Sequence, residues 1–268
     1  MLERPLAMSL PHRCLFLSDL HLGTGRTRAR ALLTLLQQEP SERVVLVGDI
    51  LDLTSWQQRQ PQFSQAEWQV LQWLLQRQRA GELVWLLGNH EQPLREWLDA
   101  SPACSWISEQ LTYTSLHGQR LLVTHGDQLE CQAMRFKRRE ELAIRLLHRL
   151  EQQHLRWKLN LPSPSALALR TRGGRGLISR FHNAQLEAAR QAGVDGIICG
   201  HSHGAALEER EGLLLINTGC WTHPPGTAVV ETACGSWQLL DGSGGRRQWQ
   251  PTAAESQANV SEISVDQP

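Results

Sequence analysis

Asp19 and His21 stand two residues apart in LFLSDLHLG, directly after a run of apolar residues. On an extended strand such a pair points to one side, so an acid and an imidazole converge on one point. That pairing suits a metal site or an acid–base pair. The same event recurs along the chain. RVVLV leads into GDILD, with Asp49 and Asp52, and LVWLL into GNHE, with Asn89, His90 and Glu91. RLLV leads into THGD, with His125 and Asp127, and DGIIC into GHSHG, with His201 and His203. Five apolar runs each end in a small residue followed by metal-type ligands, and in α/β sheets ligands bind at the carboxyl ends of strands.

Seven of these donors, the carboxylates of Asp19 and Asp49, the amide oxygen of Asn89 and the imidazoles of His21, His125, His201 and His203, make a mixed set with no thiolate. Mixed nitrogen and oxygen donors suit Mn, Fe, Zn or Co. Seven ligands exceed one tetrahedral ion but suffice for two ions that share a carboxylate. Paired ions roughly 3.5–4 Å apart clamp the attacking and leaving oxygens of a phosphoryl transfer and lower the pKa of a water between them.

The elements that must position these residues are legible as well. Short apolar runs at 14–17, 43–47, 83–87, 120–123, 194–199 and 212–216 read as buried strands. Between the early ones, 28–38 and 66–81 carry apolar residues at three- and four-residue spacing, the helical period. Gly81 is placed to cap the second of these helices. Strands alternating with helices define an α/β architecture. The stretch 207–240 reads as hairpins, so the expected fold is two packed mixed sheets flanked by helices, with a domain over 10–242. A long, mostly helical insert over 130–192 interrupts the rhythm. The tail, 243–268, is polar and reads as disordered.

Composition narrows the class. The 268 residues carry 27 Lys and Arg against 27 Asp and Glu, so no net charge draws the chain to nucleic acid. Six scattered cysteines form no C-x-x-C pair, which suggests neither a zinc ribbon nor a disulfide framework. Cys14 and Cys199 lie in apolar runs and read as buried. No apolar stretch is long enough for a transmembrane helix, and the amino terminus lacks a signal-peptide core. A cytoplasmic protein with no obligate protein partner is expected.

Taken in order, SDLHLG, GDILD, GNHE, THGD and GHSHG resemble the calcineurin-like metallophosphoesterase superfamily over residues 18–204. The resemblance implies that Asp19, His21, Asp49 and His203 hold one metal. It implies that Asp49, Asn89, His125 and His201 hold the other, with Asp49 bridging. His90 matches a histidine that stabilises the transition state or protonates the leaving group, and Asn89 contributes beside it. Asp52 and Asp127 are expected to orient ligands or loops. Glu91 stands where the family commonly has Asp and should keep an outer carboxylate role. His12, His117, His148, His154 and His182 match no motif and are expected at the surface, whereas His223, after NTGCW, is placed to reach the site rim.

The insert bears on the substrate. His125 and His201 are 76 residues apart, and 131–180 holds twelve Arg or Lys against three Glu, a local net of +9. Basic residues interleaved with leucines and a tryptophan suit a substrate with phosphates and acyl chains, or an anionic membrane surface. With GVDGIICGHSHGAALEEREGLLLINTGCW, the insert resembles the UDP-2,3-diacylglucosamine diphosphatases, nearest to their second, more divergent group. That resemblance implies manganese-dependent hydrolysis of the substrate's pyrophosphate to lipid X and UMP, with peripheral contact at the inner membrane surface. Arg172 and Arg175, flanked by glycines, are the expected phosphate contacts. Two positions depart from those enzymes: the principal group has Arg where His90 stands, and the second tends to have Asp where Cys220 stands. A nuclease or nucleotide phosphodiesterase is the alternative, although an extended basic track with aromatic platforms is missing. A non-catalytic scaffold is the other, although all seven ligands are present.

Overall fold

The computed structural model describes residues 10–57, 60–100, 105–128 and 171–249, with isolated positions between 146 and 168. Two sheets pack face to face. The first runs β12-β11-β10-β1-β2-β3-β4 and the second β5-β6-β7-β9-β8. In the first, β1 (His12–Leu17), β2 (Ser41–Val47), β3 (Leu83–Leu86) and β4 (Ile107–Ser108) are parallel neighbours. Antiparallel β10 (Thr227–Glu231), β11 (Trp237–Asp241) and β12 (Arg246–Trp249) extend that sheet beyond β1. In the second, β6 (Arg120–Thr124), β7 (Gly196–Cys199) and β9 (Leu213–Asn217) run parallel. They are flanked by antiparallel β5 (Gln110–Thr114) and β8 (Ala206–Arg210).

Alternation along the strands builds two apolar layers at once. On β1, Cys14 and Phe16 enter the core between the sheets, where they join Val45, Val47, Leu121, Ile198 and Ile216. Leu15 and Leu17 point the other way, to a second core with Val44, Leu46 and the helices α1 (Ala29–Gln38) and α3 (Gln65–Arg79). Helix α1 supplies Leu32, Leu35 and Leu36, and α3 supplies Val70 and Leu74. On the far face, α5 (Arg172–Gln191) lays Leu186 and Ala189 on Ile197 and Leu215. The layering is helix, sheet, sheet, helix, as expected. Two short helices, α2 (Leu53–Trp56) and α4 (Gln92–Ala100), follow the ends of β2 and β3.

Three expectations change. The polar stretch RRQW forms an edge strand, with Trp249 opposite Trp237, so the folded unit runs to 249 rather than 242. Exposed edge strands need no apolar run, which hid this one. His182 is buried rather than at the surface, on the inner face of α5 with Phe181, Gln185 and Leu186. His12 is half-buried and pairs with Glu39 at 2.7 Å. His117 is exposed, while His148, His154, most of the insert and 250–268 lie outside the described residues. The described end of the insert is the single helix α5. Among the described residues no helix is long and apolar enough to cross a membrane.

Candidate metal centre

Parallel strands place the motif loops on one side of the molecule. Strands β1, β2 and β3 deliver Asp19, His21, Asp49, Asn89 and His90, and β6 and β7 deliver His125, His201 and His203. Convergence does not come from strand alternation, as the spacing of Asp19 and His21 had implied. Strand β1 ends at Leu17, and Asp19 and His21 take left-handed φ values of 52° and 47°. Asp49, His201 and His203 do the same at 56°, 62° and 56°. Among the described residues only Glu211 shares this conformation without being glycine. Such backbone costs on the order of 1–3 kcal/mol per residue and persists where the surroundings fix it.

Those fixing contacts are dense. Glu91, fully buried, accepts four backbone N–H groups: Asp49 (2.9 Å), Ile50 (2.6 Å), Leu51 (2.9 Å) and Gly88 (2.8 Å). The 3₁₀ turn after β3 thereby clamps the loop after β2. Glycine is required at two close approaches. A Cβ on Gly88 would stand 2.2 Å from Asp49 Oδ1, and one on Gly48, at φ +83°, would stand 2.4 Å from His125 Nδ1. Glu67 caps α3 through Ser64 and also accepts Gly23 N–H at 3.2 Å, tying the first loop to that helix.

Asp49 is central. Its Oδ1 accepts His90 N–H at 2.9 Å, while Oδ2 lies 3.2 Å from His125 Nε2 and 3.9 Å from both His21 Nε2 and His90 Nε2. Asp19 Oδ2 accepts from Ser18 Oγ at 2.5 Å and His201 N at 3.0 Å, leaving Oδ1 turned toward His203 Nε2, 3.0 Å away. Val47 O accepts from His125 Nδ1 at 2.8 Å, which aims the opposite nitrogen inward. Three groups of converging donors overlap here, Asp19–His21–His203, Asp49–His125–His201 and His21–Asp49–His90.

Four buried atoms here have no hydrogen-bond partner: Asp19 Oδ1, His21 Nε2, Asn89 Oδ1 and His125 Nε2. Leaving a buried polar group unsatisfied costs about 1–3 kcal/mol, so four such atoms from three motif loops need an occupant. Asp19 Oδ1 and His203 Nε2 face each other at 3.0 Å, as two ligands aimed at one cation would. The donor set therefore fits divalent cations: Asp19, His21 and His203 on one side, Asn89, His125 and His201 on the other, and Asp49 between.

Electrostatics agree. Burial alone would raise the carboxyls of Asp19 and Asp49, but His203 beside the first and His125 beside the second hold both well below the usual range. Burial would lower His125, yet the charge of Asp49 and its contact push it to about 10.

His90 converges with His21 and Asp49 through one ring nitrogen, while the other is taken by a carboxylate outside the donor sets. Its Nδ1 lies 2.7 Å from Asp52 Oδ1 and 3.1 Å from Thr54 Oγ1. Burial opposes its charge, but the Asp52 hydrogen bond and the charge of Asp49 push it to about 9. Asp52 also caps α2 by accepting Ser55 N–H. Asp127 is held by Arg95 at 3.2 Å, and Arg95 reaches Glu109 at 2.9 Å. His223 lies at the rim, with its ring 5.8 Å from that of His203.

Arg172 and Arg175 are exposed in the first turn of α5, and the neighbouring glycines are helical rather than a loop drawn up to a phosphate. The α5 residues that reach the centre come later. The Phe181 ring lies 5.6 Å from His201, and Gln185 Nε2 donates to Gly126 O at 3.1 Å. A sixth strand end also went unread. At the end of β9, Asn217 donates to Gly200 O at 2.8 Å, and Oγ1 of the next residue, Thr218, meets Ser18 Oγ at 2.6 Å. An apolar run closing in Asn-Thr-Gly was the available signal.

Fold and site together agree with one protein family. The calcineurin-like phosphoesterase family matches residues 12–205, and the chain belongs to it. Members bind divalent metals at such clusters. Solved structures with a similar chain path include Vacuolar Protein Sorting 29 from Cryptosporidium parvum, 12% identical, covering 89% of this chain and 97% of that one with a TM-score of 0.48. The phosphoesterase Yfce from E. coli is 17% identical, with 88% and 97% covered and a TM-score of 0.48. An archaeal phosphodiesterase is 15% identical, with 85% and 98% covered and a TM-score of 0.41. No curated protein sequence matches the chain.

Proposed function

We propose that this protein hydrolyses a phosphoric anhydride or ester with two divalent cations, manganese being the first candidate. The observation that carries the reading is the set of four buried donor atoms without a hydrogen bond, contributed by three motif loops. Cations held there would activate water and neutralise charge on the phosphoryl group. The chain's own contribution is His90, fixed by Asp52 and carrying a proton on Nε2 that can pass to the departing oxygen. Asn89 would act as ligand and substrate contact together.

The substrate we propose is UDP-2,3-diacylglucosamine, cleaved at its pyrophosphate to lipid X and UMP at the cytoplasmic face of the inner membrane. Support comes from the sequence resemblance and from the leucine- and arginine-rich insert that enters α5. Arg172 and Arg175 open that helix, and their part would be to meet phosphate or the glucosamine end from the rim. No nucleic acid or protein partner enters this reading.

A panel with Mn²⁺ tests it: UDP-2,3-diacylglucosamine, a cyclic nucleotide, a dinucleoside polyphosphate and a bis-aryl phosphate. The acylated substrate should be preferred. Replacing Arg172 and Arg175 together by alanine should weaken it by about 1.5–3 kcal/mol for each charged hydrogen bond lost, with little effect on the aryl ester. Equal losses on both, or no turnover of the acylated compound, would leave only the hydrolase class.

A further inference from the structure

The loop after β9 carries a second set of donors that the two-ion centre does not use. Trp221 N–H donates to Asp19 O at 3.1 Å and Asn217 Nδ2 to Gly200 O at 2.8 Å, which fasten this loop beside both Asp19 and GHSHG. Within it, Cys220 Sγ lies 3.4 Å from His223 Nδ1, and Thr222 Oγ1 lies 2.9 Å from the same nitrogen. The donor atoms of Cys220, His223 and His203 are all within 4.8 Å of one another, in a group distinct from Asp19–His21–His203. Cys220 is only 7% exposed, so its sulfur faces the cluster rather than solvent.

We propose that Cys220, His223 and His203 form a rim cation site for a thiophilic ion such as Zn²⁺, sharing His203 with the two-ion centre. One sulfur and two imidazoles, with water in the fourth position, suit zinc, whereas Mn²⁺ prefers the oxygen-rich donors of Asp19, Asp49 and Asn89. Binding transfers the Cys220 thiol proton to solvent. His203 Nε2 faces Asp19 Oδ1, and a neutral imidazole has a lone pair on one nitrogen only, so an ion that takes His203 at the rim removes a ligand from the first ion. Rim occupancy and an intact two-ion centre therefore exclude each other, and excess zinc acts as an inhibitor.

The test uses the full chain, reduced and stripped of metal, titrated with Co²⁺. A sulfur-to-cobalt charge-transfer absorption should appear in the near ultraviolet. Cys220→Ser should abolish it, His223→Ala should weaken the Co²⁺ affinity read from it by about tenfold or more, and Cys234→Ser, at an exposed cysteine, should retain it. In Mn²⁺-loaded protein, Zn²⁺ should release Mn²⁺, seen as its free-ion magnetic resonance, at lower concentration in the parent than in Cys220→Ser. No thiolate absorption in the parent, or an undiminished one in Cys220→Ser, overturns the site. The His223→Ala comparison decides if the serine variant fails to fold. The absorption does not depend on turnover, so this result stands apart from the hydrolase reading.

Discussion

Asp52 Oδ1 and His90 Nδ1 are 2.7 Å apart, and on the other side of the ring His90 Nε2 faces Asp49 Oδ2 at 3.9 Å. The imidazole is thus anchored by one carboxylate and presented to the cation cluster by its opposite nitrogen. His90→Ala should keep its metal content and lose about 10²–10⁴-fold in turnover, the usual contribution of a placed proton donor. The sign of the pH effect follows from Asp52. Its charge helps hold His90 protonated, so Asp52→Asn should lose that proton at lower pH and move the alkaline limb of kcat/KM downward. Elemental analysis alongside pH–rate profiles checks both; metal lost in proportion to activity would make His90 a ligand.

Two cations per chain should bind. Asp49→Ala should lose both, because Asp49 stands between the two donor groups, whereas His203→Ala should weaken one. His125, pushed to about 10 by Asp49 against burial, must give up a proton before Nε2 can ligate. Cation affinity should therefore rise with pH and binding should release protons. Calorimetry in buffers of different ionisation enthalpy reads this directly, and proton-independent binding would contradict it.

Much of this was legible because apolar runs and donor spacing are written in residue types. Strands β1, β2, β3, β6 and β7 and the loops they launch could all be read that way. The left-handed backbone of Asp19, His21, Asp49, His201 and His203 could not, since none is glycine and the conformation is imposed by contacts such as those of Glu91 and Ser18. Strand β5 alternates half-buried with exposed residues and offers no apolar run. The inward face of α5 was available in principle: Phe181, His182, Gln185, Leu186 and Ala189 follow the helical period. Its polar members hid it. Substrate choice stayed obscure because the metal ligands are common to many phosphoesterases and most of the insert's basic residues carry no motif.

Glu91 links stability to cation binding. It is buried with four N–H groups on its carboxylate, yet burial and then the charge of Asp49 raise it to about 7. Glu91→Gln keeps the size but turns one oxygen into a donor facing N–H groups. With about 1–3 kcal/mol for each group left unsatisfied, a loss of roughly 2–4 kcal/mol is expected. The loop carrying Asp49 should loosen, so cation affinity falls as well. Urea unfolding with and without Mn²⁺ measures the two effects; a variant as stable as the parent would show that the clamp does not hold the loop.

His182 predicts the acid limit of the fold. It is 3% exposed on the inner face of α5, and its Nε2 has no hydrogen-bond partner. Burial, then the charge of Arg210, lowers it from 6.5 to about 4. The unfolded chain therefore takes up a proton at higher pH than the folded one. Stability from this residue is complete above about 6.5 and declines as the pH falls toward 4, with a total on the order of 3 kcal/mol. His182→Leu removes the titration while keeping an apolar body of similar reach beside Phe181. Between pH 8 and pH 5 the parent should lose clearly more unfolding free energy than the variant, by urea denaturation in chelator so that cation release does not enter. Parallel curves for the two proteins would show that some other group sets the acid limit.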